Sequence, residues 1–214
     1  MRLAVFIFLL LTTSCREIIY VDEVEKISGY QINGSVTNQS GTPLPNVNVL
    51  LYYDEEKISN SPVDTAVAVV TDTNQIITVQ VFSVGNILVR TLFSDKMRIG
   101  PVPRFSWDGL NDKGAEVASG FYLIRYKIDT MLVKESPLVI EGKLSARTDS
   151  DGRFVIPNEN LPVGKTYDKY FQNTFQGVYL IGSSVVLELV SGNSVKTGRV
   201  YLKKDVITKV NVTM

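Results

Sequence analysis

Histidine is absent from this 214-residue chain, and cysteine occurs once, at Cys15. The first absence removes the commonest general base and the commonest metal ligand. The second excludes an intrachain disulfide and a thiolate zinc cage. Neither sign of charge is in excess, with 22 Lys and Arg against 22 Asp and Glu. A balanced chain has no field with which to gather phosphate backbones, which argues against a nucleic-acid partner. The sequence contains no Gly-x-x-x-x-Gly-Lys phosphate loop, no Gly-x-Ser-x-Gly elbow and no convincing amphipathic helical window. Carboxylate, Lys, Tyr and Ser chemistry remains. Because many glycosidases need only carboxylates, the composition speaks against an enzyme without excluding one. With 44% hydrophobic and 21% charged residues, the chain has the balance of a globular protein with room for one large or two small domains.

What is present is a period of two. Val47, Val49, Leu51 and Tyr53 alternate with Asn48, Leu50 and Tyr52; Ile77, Val79 and Val81 alternate with Thr78, Gln80 and Phe82. Tyr122, Ile124, Tyr126 and Ile128 form a third such run, and Val206, Thr208, Val210 and Val212 a fourth. One face of each can enter a core. Turn residues that tolerate positive φ separate the runs, among them Asn33-Gly34, Ser40-Gly41, Asp108-Gly109, Lys113-Gly114, Asp151-Gly152 and Ser191-Gly192-Asn193. Short strands between such turns predict an all-β sandwich or barrel. Residues 165–176 suit either a turn or two of helix or a packed loop.

The first fifteen residues carry Arg2, a nine-residue apolar run from Leu3 to Leu11, then small Thr12, Thr13 and Ser14 before Cys15. This is the pattern of a secretory signal. As a helix the run spans about 14 Å, too short for a hydrocarbon layer of ~30 Å, so cleavage is expected. Cys15 directly after the small residues resembles the lipobox of bacterial lipoproteins, in which the cysteine is lipidated and becomes the mature N-terminus. The resemblance implies a multi-acyl membrane anchor. Arg16 stands where an inner-membrane retention signal would place Asp, so an outer-membrane lipoprotein, periplasmic or surface-facing, is expected. Residues 16–27 are assigned as a mildly acidic tether, with pairing of Ile18 to Val21 as a first strand left open.

Two further resemblances cover most of the remaining chain. Gly34-Ser35-Val36, the turn Ser40-Gly41-Thr42-Pro43-Leu44 and the strand Val47-Asn48-Val49 resemble the opening of the carboxypeptidase regulatory-like domain, a transthyretin-like sandwich. Its second hallmark corresponds to Thr148-Asp149-Ser150-Asp151-Gly152-Arg153-Phe154. Between them, Phe105-Ser106-Trp107-Asp108-Gly109, Gly114 and Ser119-Gly120-Phe121-Tyr122 are similar to the FlgD-type Ig-like domain of secreted bacterial proteins. The resemblances imply two Ig-like or transthyretin-like antiparallel β-sandwiches, one inserted into the other. Residues 64–140 would be the insert, and 28–63 plus 141–214 the host. Insertion at a surface loop is tolerated when the insert's ends lie close together.

Most hallmark residues have a folding role. Trp107 and Tyr122 are read as core residues, Asp108, Gly109 and Gly114 as turn residues, and Gly120 as the place where the backbone passes close to Trp107. Gly152 and Phe154 belong to the second regulatory-like hallmark. Asp149 and Asp151 offer oxygen ligands of the kind Ca²⁺ takes, but a β-turn closed by Asx hydrogen bonds is preferred. No cofactor is implied. Zinc carboxypeptidases carry the regulatory-like domain beside a catalytic domain that this chain lacks. Tyr167, Tyr170, Phe171 and Phe175 form the aromatic stretch best suited to a contact surface. The resulting expectation is a non-enzymatic envelope lipoprotein that holds another protein or a polysaccharide. The alternative is a carbohydrate-binding accessory to a separate enzyme, which coplanar exposed rings near Tyr167–Tyr179 would favour and buried rings would disfavour.

Overall fold

The computed structural model describes residues 23–63, 68–172 and 174–214. Cys15, the leader and most of the 16–27 tether lie outside the described residues. The chain opens with β1 (Glu23–Lys26), β2 (Tyr30–Thr37) and β3 (Asn48–Ser59). Among the described residues, the strands from β4 (Val69–Val70) through β5 (Ile76–Ser83), β6 (Leu88–Lys96), β7 (Gly100–Pro101) and β8 (Gly120–Ile128) to β9 (Met131–Ile140) pair only with one another. The chain then continues with β10 (Lys143–Arg147), β11 (Arg153–Ile156), a 3₁₀ turn at Asn158–Asn160, β12 (Thr166–Phe171), β13 (Thr174–Ser191), β14 (Ser194–Tyr201) and β15 (Val206–Thr213).

The fold is all-β and Ig-like in its layering. In the larger body one sheet has the order β1-β15-β2-β11. The other packs β10, β3 and β13 side by side, and the long β13 pairs β12 along its first half and β14 along its second. Alternation places Ile32 and Val36, Val49 and Leu51, Phe154 and Ile156, Val185, Leu187 and Leu189, and Val210 and Val212 between the sheets, all essentially buried. Strands 69–140 make a smaller body on the sheet β6-β5-β8-β9, whose Ile77, Val79, Val81, Ile124 and Tyr126 form a second core.

Several expectations need correction. The sheets are not wholly antiparallel, because β15 runs parallel to β2 from Val206↔Tyr30 to Thr213↔Thr37. Both strands start from one clasp, in which the Asp205 N–H donates to the Gly29 carbonyl and the Gly29 N–H to Asp205 Oδ1. Residues 23–26 of the assigned tether form a strand, with Glu23 opposite Thr208 and Lys26 opposite Val206. The edge of β15 offers backbone groups there that require partners. The smaller body is a sheet covered by the two-stranded β4–β7 ribbon and the irregular segment 102–118, not by a second full sheet. Pro101 and Pro103 cannot donate to a ladder, and backbone N–H groups of Leu110, Lys113 and Ala115, donating to the side-chain oxygens of Asp108 and Asn111, hold this segment instead. Residues 166–191 form a hairpin rather than a helix or loop, with a bulge at Lys169/Tyr170 that blurs the alternation.

The two bodies also share apolar surface. Phe121 faces away from its own sheet's core and is buried in the larger one, with Leu123 and Val139 packed beside it, while Tyr122 and Ile124 face the smaller core.

Candidate functional site

The two regulatory-like hallmarks meet in space. Phe154 pairs directly with Gly34 across β11 and β2, and its ring lies where a Cβ on Gly34 would be. The turn before it is closed by Asp149, whose Oδ1 accepts the backbone N–H groups of Asp151 at 2.9 Å and Arg153 at 2.8 Å. Gly152 takes φ +70° there, and a Cβ would sit 2.5 Å from the Val36 carbonyl oxygen. Asp149 thus forms an Asx turn, and among the described residues no three of His, Cys, Asp and Glu converge as a metal site.

Trp107 is half-buried against the smaller core and also borders the cleft between the two bodies. Its ring packs edge-on against Tyr122 at 4.9 Å, and its Nε1 donates to the Leu110 carbonyl. Asp108 Oδ1 accepts from the Leu110 N–H and from Arg90 Nη1. The Leu110 hydrogen bond, followed by Arg90, holds its carboxyl below the usual range. Gly109 and Gly114 take φ +77° and +76° in the turns that follow. Tyr122 donates its hydroxyl to the Ala118 carbonyl, and burial pushes its pKa up to about 12. Gly120 faces Tyr122 and Asn160, not Trp107; a Cβ there would meet Tyr122 Cε2 at an ordinary 3.5 Å. The contact that matters lies within its own strand.

The aromatic stretch borders a cleft of about 420 Å³ between the two bodies. Loop 104–107 of the smaller body forms one wall, β12 the other, and the end of β9 with Glu141 the floor. Tyr167 is buried and donates its hydroxyl to Glu55, whose side chain is 9% exposed and which also forms an ion pair with Lys169. Burial, then the bond to Glu55, drives the Tyr167 phenol well above its ordinary range. Tyr170 lies edge-on to Phe175, and the Arg104 guanidinium lies over the Tyr170 ring, 3.2 Å from its centroid. Of the four, Phe171, 65% exposed, presents a large free face. The rings therefore supply no coplanar exposed platform.

Glu55, Arg104 and Asn160 escaped the sequence reading. Glu55 had a signal: it holds the next inward place in the period-two series Val49, Leu51, Tyr53. Asn160 links the bodies, with its carbonyl accepting from the Tyr53 hydroxyl and its Nδ2 donating to the Ser119 carbonyl. No local sequence signal announces that bridge or the Arg104–Tyr170 stack, because both depend on how the bodies dock.

Fold and cleft together define an all-β protein of Ig-like sandwich architecture with a cleft of mixed polar and apolar lining between two bodies. No family model matches the chain, and no curated protein matches it. Among solved structures it is similar to a truncated FlgD from Helicobacter pylori, at 17% identity over 83% of this chain and 94% of that one, with a TM-score of 0.24. Superposition at that level says nothing about what this chain does; the fold class rests on the strand pairing.

Proposed function

We propose that the chain is a non-enzymatic cell-envelope lipoprotein, lipidated at Cys15, that holds an envelope protein or polysaccharide. In this reading the regulatory-like sandwich, 28–63 plus 141–214, carries the FlgD-type body of 64–140. The observation that supports it best is how two polar residues of the cleft are used. Tyr167 and Lys169, which line it, both engage the buried Glu55 of β3, so these groups fasten the β12 hairpin. What remains accessible is contact surface, chiefly Phe171 and the Arg104–Tyr170 stack.

The strand directions suit a display role. β1 runs antiparallel to β15, so its first residue points toward the Thr213 end of the larger body. The smaller body departs beyond Ser59, at the opposite end of β3. Glu23 therefore stands on the side of the larger body away from the cleft, which leaves the loops around the cleft open to a partner.

The test is recovery of the tagged chain from its own envelope, beside a Tyr170→Ala/Phe171→Ala version. One component should co-purify in near-equal amount with the parent and be lost from the substituted chain. Equal recovery with both would refute the cleft-mouth contact. A Cys15→Ser chain that still takes up labelled fatty acid would refute the anchor.

A further inference from the structure

The central strands of the larger body break the alternation expected of a sheet with one wet face. Val49-Leu50-Leu51-Tyr52-Tyr53 on β3 and Val185-Val186-Leu187-Glu188-Leu189-Val190 on β13 are nearly continuous apolar runs. Such runs belong to strands covered on both faces. Val49, Leu51, Tyr53, Val185, Leu187 and Leu189 account for one face, in the core. The interleaved Leu50, Tyr52, Val186 and Val190 point the other way and belong to neither core.

The register extends this second face across four strands. Leu144 on β10 stands opposite Leu50, and Val195 on β14 stands opposite Val190. Tyr201 continues the row opposite Ser184. Leu144, Val195 and Tyr201 are 43%, 60% and 68% exposed. An apolar sheet face of this extent on a solvent-facing side marks a contact surface.

We propose that this face joins two copies of the chain, sheet against sheet about a two-fold axis. Its charges are self-complementary. Glu188 and Arg199 both lie on it, opposite Leu50 and Val186 respectively, so a two-fold can set each copy's Glu188 against its partner copy's Arg199. Arg199 already holds Asp54 with one nitrogen, which leaves further N–H donors of its fork for a second carboxylate. The equal totals of acidic and basic residues produce no general repulsion between copies. The size also fits. Four strands at ~4.8 Å spacing and about six residues at ~3.4 Å give a face of roughly 20 by 20 Å before side-chain relief. Doubled over two copies and corrugated by side chains, that approaches the ~1,200 Å² at which stable interfaces begin.

Sedimentation equilibrium of the chain from Arg16 onward, which contains every described residue, tests this from about 1 to about 100 µM, a range that brackets micromolar dissociation. A dimer mass is expected. Val186→Asp should raise the dissociation constant by about thirtyfold or more, as loss of a central contact does, with an unchanged far-ultraviolet circular dichroism spectrum. Should Val186→Asp fail to fold, Tyr201→Asp at the rim carries the same expectation. A monomer throughout the range would overturn the proposal, whether the chain then binds lipid vesicles, another protein or nothing. So would a dimer that withstands both substitutions.

Discussion

Gly34 and Phe154 give the sharpest prediction about the larger core. A Cβ built on Gly34 lies 2.0 Å from Phe154 Cζ and 2.1 Å from Cε1, far inside any real carbon–carbon contact. Phe154 is 3% exposed and sits on an edge strand whose only sheet partner among the described residues is β2, so the ring must swing out of the core or β11 must move. Gly34→Ala should therefore cost about 1–3 kcal/mol, the range of overpacked cores. Phe154→Ala should cost about 3–5 kcal/mol through lost burial and a cavity. The two changes should not add. With the ring gone, the methyl group introduced at position 34 enters vacated space, so the double variant should lie close to Phe154→Ala alone, a coupling of at least about 1 kcal/mol. Urea unfolding followed by far-ultraviolet circular dichroism measures all four chains, and a common m-value would show that only stability has changed. A Gly34→Ala chain as stable as the parent, or a strictly additive double variant, would refute the reasoning.

Three more outcomes follow from the packing. Tyr122, with its pKa near 12, and Tyr53 and Tyr167, shifted further upward by burial, favour the neutral phenol in the fold; unfolded tyrosine ionises from about pH 10. Stability should thus be full below about pH 10 and fall as pH rises through the folded-state values, with tyrosinate absorbance of these three appearing only on unfolding; all ten tyrosines titrating together in an intact fold would contradict this. Phe121→Ala should destabilise the larger body by about 3–5 kcal/mol although the residue lies within 64–140, and excision of 64–140 with a short linker should lower the larger body's unfolding midpoint; an unchanged midpoint would contradict the shared core. Asp108, held below the usual carboxylate range by Leu110 and Arg90, stabilises the smaller body above the unfolded carboxyl pKa and loses that effect as pH falls below about 4. The fluorescence of Trp107 should report a shallower acid transition in Asp108→Asn, and identical transitions would rule this out.

Period-two patterning placed β3, β5, β8 and β15 because one wet face leaves its mark on every second residue. Local turns were equally legible: Asp149 and Asn111 bond backbone groups two and four residues on, so each turn is encoded within five residues. The parallel pairing of β15 with β2 was not legible, since the Gly29–Asp205 clasp that sets it joins opposite ends of the chain. The hairpin at 166–191 was obscured by a bulge and by aromatics that suit several structures. The aromatic stretch was visible as a run of rings, but which way they turn depended on Glu55, set beside them by the pairing of β3 with β13, and on Arg104, brought from the irregular segment of the smaller body by docking. Phe121 shows the same limit, because a strand buried on both faces hides which core each residue serves.

The claim that Glu55 and its cleft-lining partners Tyr167 and Lys169 serve the fold is tested most directly by Glu55→Ala, compared with the parent in urea unfolding and in hydrolysis of chromogenic glycosides. Removing Glu55 strands the buried Tyr167 hydroxyl, so the unfolding free energy should fall by about 1–3 kcal/mol, with no hydrolysis by either chain. Unchanged stability, joined to hydrolysis by the parent that the variant has lost, would contradict it.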